Sequence, residues 1–211
     1  MAEEQGTGTR TDRILTLPNA ITIIRLSLLP VFLWLLFAQD DRANAAWLLA
    51  ALGTTDFLDG YIARRFDQVS ALGAVLDPVA DRLLFFVGVG GILVDGSAPT
   101  WFAVTVLARE SLVTAATLVL AALGARRIEV TWFGKAGTFG LMIAFPLFLA
   151  SASTLGWADQ AETLAWIAGI PGLALSLWSA VLYVPMARLA LRQGRVDAGS
   201  EIGGPGVPSA S

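Results

Sequence analysis

Six stretches of this chain are apolar for long enough to cross a lipid bilayer, and only short connections separate them. They run from Leu17 to Ala38, Ala43 to Arg64, Leu72 to Val94, Thr100 to Leu123, Thr131 to Ala152 and Leu164 to Leu191. A crossing takes about 20 apolar residues, and in lipid the backbone must satisfy its own hydrogen bonds within a helix or a closed barrel. Segments of this length predict an all-α integral membrane protein with six transmembrane helices, each lying beside the next in an up-and-down bundle. Composition agrees, with 55% hydrophobic and 15% charged residues, where soluble domains carry about 25% charge. The mean hydropathy is +0.67. The 211 residues leave no room for a separate soluble domain. The expected organisation is a polar tail over 1–13, one six-helix domain over 14–193, and a Gly, Pro and Ser rich disordered tail over 194–211.

Orientation follows from the positive residues, which are in excess in cytoplasmic loops. Arg10 and Arg13, Arg64 and Arg65, Arg126 and Arg127, and Arg188, Arg192 and Arg195 fall on one side of a six-span arrangement, and Arg42 alone falls on the other. Both termini are therefore expected in the cytoplasm. The N-terminal tail lacks the charged-then-apolar pattern of a cleaved signal peptide and is expected to be retained.

The chain contains no Cys and no His. Thiol chemistry, histidine bases and the usual nitrogen and sulfur ligands of zinc and copper are absent with them. A bound metal would have to be held by oxygen. The net charge of −3 and the lack of a basic run give no sign of a nucleic-acid partner.

Against this apolar background, Asp56, Asp59, Asp77 and Asp81 stand inside the second and third segments. Ionisable groups in hydrocarbon are costly, and they mark functional sites by default. Residues three or four apart share a helix face, so Asp56 and Asp59 form one pair and Asp77 and Asp81 another. At 1.5 Å per residue, Asp59 and Asp77 lie about 8 Å from the cytoplasmic ends of their helices and Asp56 and Asp81 about 12–13 Å. The four carboxylates can meet at matching depths in one cluster that opens to the cytoplasm.

Two unit charges about 5 Å apart cost about 3 kcal/mol at an effective dielectric near 20, and Arg64 and Arg82 cannot offset four carboxylates. Either some are protonated or divalent cations are bound. Oxygen-only ligands suit magnesium, manganese or calcium, and a pair of Mg2+ or Mn2+ ions best balances four negative charges. Gly60 and Ala63 keep the ligand face of the second helix free of bulk, while Arg64 and Ser70 add a fixed positive charge and a hydroxyl suited to a phosphate or polar head group. Two other readings compete. The aspartates could pair with arginines merely to register helices, although four on two adjacent faces outnumber the nearby arginines. A divalent-cation-binding membrane protein or transporter is the non-enzyme alternative, but broken helices and inverted repeats, its expected signs, are not evident.

The pattern Asp56-x-x-Asp59-Gly60-x-x-Ala63-Arg64, then eight residues, then Gly73-x-x-x-Asp77-x-x-x-Asp81 resembles the complete signature of the CDP-alcohol phosphatidyltransferases. The similarity extends over the whole chain, since that family places its signature on the second and third of six spans. The resemblance implies metal-dependent transfer of a phosphatidyl group from CDP-diacylglycerol to an alcohol in phospholipid biosynthesis, with release of CMP and two divalent metal ions. It implies that Asp56, Asp59, Asp77 and Asp81 are the metal ligands and that Asp81 also takes the proton of the attacking hydroxyl. Gly60, Arg64 and Ser70 would hold the cytidine diphosphate portion, together with Asn19 and Thr22 in a first-helix segment similar to the one that meets the nucleotide. It further implies a homodimer in the cell membrane with the active site facing the cytoplasm.

Pro18-Asn19, Arg25 and Pro30 resemble the glycerol-lipid branch of the family, the phosphatidylglycerophosphate synthases and cardiolipin synthases. Its acceptor would be glycerol-3-phosphate or phosphatidylglycerol, with inositol phosphate or another alcohol as the alternative. The stretch Gly134-Lys135-Ala136-Gly137-Thr138-Phe139 lacks the second Lys that phosphatidylglycerophosphate synthases often show there, and looks more like the actinobacterial cardiolipin synthase type. Arg109 and Lys135 are intramembrane cations that could bind an acceptor phosphate, while Arg109 could instead pair with Glu110.

Overall fold

A computed structural model describes the backbone of residues 17–66, 73–123 and 131–202, and the side chains of 20–55, 79–123 and 131–183. Six helices account for nearly all of it: α1 (Leu17–Phe37), α2 (Arg42–Phe66), α3 (Gly73–Asp95), α4 (Thr100–Ala122), α5 (Trp132–Ser151) and α6 (Ala158–Ile202). There is no strand among the described residues. Among the described residues, four helices are long and apolar enough to cross a membrane by themselves, over Ala20–Phe37, Thr100–Ala122, Trp132–Ser151 and Ala158–Tyr183. The chain is thus an all-α, multi-pass membrane protein. α2 and α3 carry the acidic residues of the signature.

α1 to α5 begin and end within two residues of the apolar segments. α6 does not: it starts at Ala158, before the apolar run at Leu164, and continues to Ile202. Its first turns hold Asp159, Gln160 and Glu162, residues that an apolar pattern passes over but that suit the positive end of a helix dipole. At the other end, helix occupies the first part of the stretch from Gly194 that composition predicts to be disordered. That part has no proline; the Pro and Gly dense portion beyond Ile202 lies outside the described residues.

The helices fall into two compact units, the first ending at Gly91 and the second beginning at Ile92. In the first, α1 buries one stripe, Thr22, Arg25, Leu29, Phe32 and Leu36, whose spacing of three and four residues is one helix face. Ile23, Ile24, Val31, Trp34 and Phe37 are exposed on the rest of the helix, which in a membrane means exposure to lipid. Arg25 touches Asp81, and a β-carbon at Gly91 would meet the Phe32 ring at 3.3 Å. Both contacts step the same way along the chain, so α1 and α3 run parallel. α2 packs on α1 and touches α3 where a β-carbon at Gly88 would lie 3.1 Å from Leu49. Gly88 and Gly91 thus serve close packing, as expected from their small size, whereas Gly90 has open space around it.

The turn from α1 to α2 is tight. Asp40 takes a left-handed conformation with φ of 51°, which Asp tolerates better than most residues, and its carboxylate meets Arg42 at 3.0 Å. Asp41 caps α2: its two carboxylate oxygens accept hydrogen bonds from the Asn44 backbone N–H at 3.0 Å and from the Asn44 amide at 2.7 Å.

The second unit is held most closely between α5 and α6. A β-carbon at Gly137 would lie 2.7 Å from the Ser176 backbone nitrogen, and one at Gly140 3.0 Å from the Ala168 carbonyl. These pairs step in opposite directions, so the helices are antiparallel and approach backbone to backbone, as small residues permit in membranes. Near the α5–α6 turn the packing becomes aromatic. Phe102 of α4 is wholly buried against Phe145, Phe148 and Trp166, with ring centroids 5.5–5.8 Å apart.

Candidate active site

Of the residues that the signature singles out, Asp81 and Thr22 have described side chains. The side chains of Asn19, Asp56, Asp59, Gly60, Arg64 and Asp77, and all of Ser70, lie outside the described residues. The backbone places Asp56 and Asp59 in the last three turns of α2, and Asp77 and Asp81 in the first three turns of α3. No group of three candidate metal-ligating side chains converges among the described residues. The donor set itself is carboxylate oxygen with neither His nor Cys in the chain, which suits a hard divalent ion.

Asp81 shows what the apolar pattern did not. Its Oδ1 accepts a hydrogen bond from Nη1 of Arg25 on α1 at 3.2 Å, and the two form an ion pair. The pair is lopsided: the arginine is 3% exposed and the carboxylate 46%. Thr22, one turn before Arg25 on the same face, is likewise buried. Arg82, adjacent in sequence and expected to help offset the acidic cluster, makes no ion pair among the described residues, whereas Arg25 does meet Asp81. The signal was present in the sequence, because Arg25 is the one charge in α1 and lies three residues from Thr22. The pairing itself joins residues 56 positions apart, which no local pattern displays.

A second polar region lies in the other unit. Arg109 on α4 donates from Nη1 to Glu110 at 2.7 Å and from Nε to the Ser176 carbonyl at 3.2 Å. The alternative weighed for Arg109, pairing with Glu110, is what the structure contains. Lys135 is exposed in the first turn of α5 and makes no ion pair among the described residues. That turn is capped by Thr131, whose hydroxyl accepts from the Gly134 N–H at 3.2 Å and shares a 2.8 Å hydrogen bond with Ser179. Arg109 and the start of α5 therefore meet the same stretch of α6, Ser176 to Ser179. A cation, a helix N-terminus with its positive dipole end and several hydroxyls occupy this level of the unit.

Comparison with known proteins bears on what these residues do. The family model described as CDP-alcohol phosphatidyltransferase matches residues 15–191. The cardiolipin synthase (CMP-forming) of Streptomyces coelicolor is 39% identical over 196 residues, covering 90% of this chain and 91% of that protein. A putative cardiolipin synthase of Mycobacterium tuberculosis is 36% identical over 183 residues, 86% of this chain and 87% of its own. The CDP-diacylglycerol–glycerol-3-phosphate 3-phosphatidyltransferase of Escherichia coli K12 is 33% identical over 183 residues, 83% of this chain and 96% of its own. These relatives are of the glycerol-lipid branch that the first helix resembles, and family membership favours an enzyme over a cation transporter. With the signature intact on α2 and α3 and the match running from the start of α1 far into α6, the chain belongs to the CDP-alcohol phosphatidyltransferase family.

Proposed function

We propose that this protein transfers the phosphatidyl group of CDP-diacylglycerol to the free hydroxyl of phosphatidylglycerol, forming a cardiolipin and releasing CMP at the cytoplasmic face of the cell membrane. The observation that carries the reading is the near full-length similarity to a CMP-forming cardiolipin synthase, joined to an unbroken acidic signature. The departure in Gly134 to Phe139, with one Lys where phosphatidylglycerophosphate synthases often have two, points the same way. Glycerol-3-phosphate is the second acceptor to consider, because the E. coli relative carries it in its name.

Asp56, Asp59, Asp77 and Asp81 would hold a pair of Mg2+ or Mn2+ ions. When bound, such a pair screens the diphosphate oxygens and stabilises the departing CMP. The Leu49–Gly88 contact supports this grouping. From that point α2 and α3 are followed in opposite directions at equal rise, which brings Asp56 level with Asp81 and Asp59 level with Asp77 to within about one residue. Asp81 would take the proton of the acceptor hydroxyl as its oxygen bonds to the phosphatidyl phosphorus and the bond from that phosphorus to the CMP oxygen breaks. Asn19, Thr22, Gly60, Arg64 and Ser70 would bind the cytidine diphosphate portion, and Arg109 with Lys135 the acceptor phosphate. α2 and α3 would complete six spans within one domain over 14–193, with both termini in the cytoplasm and two copies forming a homodimer.

The test gives the purified protein CDP-diacylglycerol with phosphatidylglycerol, glycerol-3-phosphate or inositol phosphate in separate reactions and measures CMP. Rapid release with phosphatidylglycerol alone is expected. Faster release with glycerol-3-phosphate would transfer the assignment to the other arm of the branch, and release with none would reject it.

A further inference from the structure

We propose that Arg25 is a positioning residue for the transfer reaction, holding the Asp81 carboxylate at the angle from which it meets the acceptor hydroxyl. The inference rests on the phosphatidyl-transfer reading above. It begins from the asymmetry of the ion pair. Arg25 is 3% exposed and Asp81 is 46% exposed, so the guanidinium is buried while the carboxylate it grips is partly exposed. Enclosing both charges would add a desolvation cost that their attraction often does not repay; leaving the carboxylate exposed avoids that cost and keeps it open to a ligand, with the guanidinium behind it. Here the buried partner is the long and adjustable one, and the short one is presented outward.

The contact chemistry fits the role. A guanidinium is planar and permanently charged, and it directs its N–H groups in a fixed fork. Nη1 engages Oδ1 at 3.2 Å, which restrains rotation of the carboxylate. Arg25 is in turn fixed by its place in the buried stripe with Thr22, Leu29 and Phe32. An arginine placed in an otherwise apolar helix is costly unless it is paired, so the geometry has a reason to persist through the catalytic cycle. Arg82, one residue from Asp81, would have been the cheaper neutralising partner by chain proximity, yet it does not make the contact.

Arg25→Gln and Arg25→Lys, made in the full chain and purified beside the wild type, test the proposal. Four quantities are read: kcat per folded molecule, KM for CDP-diacylglycerol, Mn2+ affinity of the protein alone by electron paramagnetic resonance, and Tm. Misplacing a reacting group by about 1 Å can cost a hundredfold in rate. Arg25→Gln is therefore expected to lower kcat by about thirtyfold or more while KM for CDP-diacylglycerol stays within about twofold, and to shift Mn2+ affinity as well, because Asp81 is also placed among the metal ligands. Arg25→Lys, which keeps the charge without the fork, is expected to fall between, about tenfold below wild type.

Unchanged kcat per folded molecule would mean that the pair only registers helices, and would overturn the proposal. So would a tenfold rise in KM at constant kcat, which marks a direct ligand of the donor, or a kcat that returns to the wild-type value at saturating Mn2+, which would mean that the pair only tunes metal binding. If Arg25→Gln does not fold, Arg25→Lys decides by the same kcat criterion. A wild type that releases no CMP with any acceptor rejects the transfer reading and this inference with it. An active wild type matched by both variants rejects this inference alone.

Discussion

The two compact units solve opposite problems with the same kind of helix. In the second, α5 and α6 approach through Gly137, Gly140 and Gly172 until backbone meets backbone, and α4 is joined to them by a knot of rings around Phe102. In the first, the inward stripe of α1 begins with Thr22 and Arg25 before it becomes apolar, and the helix it meets carries Asp77 and Asp81. One unit pairs its arginine locally with Glu110 and the Ser176 carbonyl and is otherwise held by close packing. The other keeps charge inside and must balance it. The contrast teaches where chemistry resides in a protein whose outer surface is uniformly greasy, because function is recorded on the inward faces.

The largest effect expected from this contrast comes from Asp56→Asn or Asp77→Asn. Each removes a charge that the first unit keeps at a cost, and CMP release should fall by about a hundredfold or more at ordinary magnesium. Without added metal the variants should be no less thermally stable than the wild type, since relief of like-charge repulsion offsets the change. Retained activity would sink the metal-site reading.

Phe102→Ala in the second unit should do the reverse. Truncating a wholly buried Phe costs about 3–5 kcal/mol in water-soluble cores, and about 3 kcal/mol is the expectation here because lipid supplies no hydrophobic drive beyond packing. Tm should drop, with CMP release per folded molecule unchanged. A loss of turnover in the folded fraction would show that the ring cluster is coupled to the site.

A smaller and sharper test uses two glycines. Gly137→Ala forces a β-carbon to 2.7 Å from the Ser176 nitrogen, an overlap with backbone that cannot swing away, and should cost about 1–3 kcal/mol. Gly90→Ala enters open space and should be neutral or gain up to about 1 kcal/mol from helix propensity. Equal effects at the two positions would mean that backbone approach does not hold α5 to α6.

Much of this architecture was legible because membrane helices announce themselves by length and hydropathy, and α1 to α5 follow the apolar runs to within two residues. α6 escaped at its start because Asp159, Gln160 and Glu162 are polar although they favour a helix N-terminus. The aspartates stand out in the sequence as a proposed set, since an i, i+3 pair and an i, i+4 pair in apolar segments need a reason. The grip of Arg25 on Asp81 was not, because it depends on which faces of α1 and α3 meet. Nor were the tight glycines, for Gly137 and Gly172 look no different in sequence from Gly90, which touches nothing. In each case the missing knowledge is a neighbour far along the chain.

The smallest expected effect concerns the turn that joins α1 to α2. Hydrogen bonds from the Asn44 backbone N–H, and then from its side-chain amide, hold the Asp41 carboxyl below its ordinary pKa. A carboxylate whose pKa is depressed by folding adds stability above its unfolded pKa, near about pH 4, and loses it as pH falls through the lower folded value. Asp41→Ala should therefore lower Tm slightly at pH 6–7, and the gap from wild type should close as pH drops below about 4. Asp41→Asn keeps one acceptor oxygen, which can serve the Asn44 backbone N–H but not the second bond that goes to the other carboxylate oxygen, so its gap should be smaller than that of Asp41→Ala at pH 6–7 and nearly flat with pH. A wild-type minus Ala difference that did not shrink in acid would mean that the cap acts through shape and not through charge. Asp41 would then act by geometry alone, in contrast to the charge-based roles proposed for the aspartates of α2 and α3.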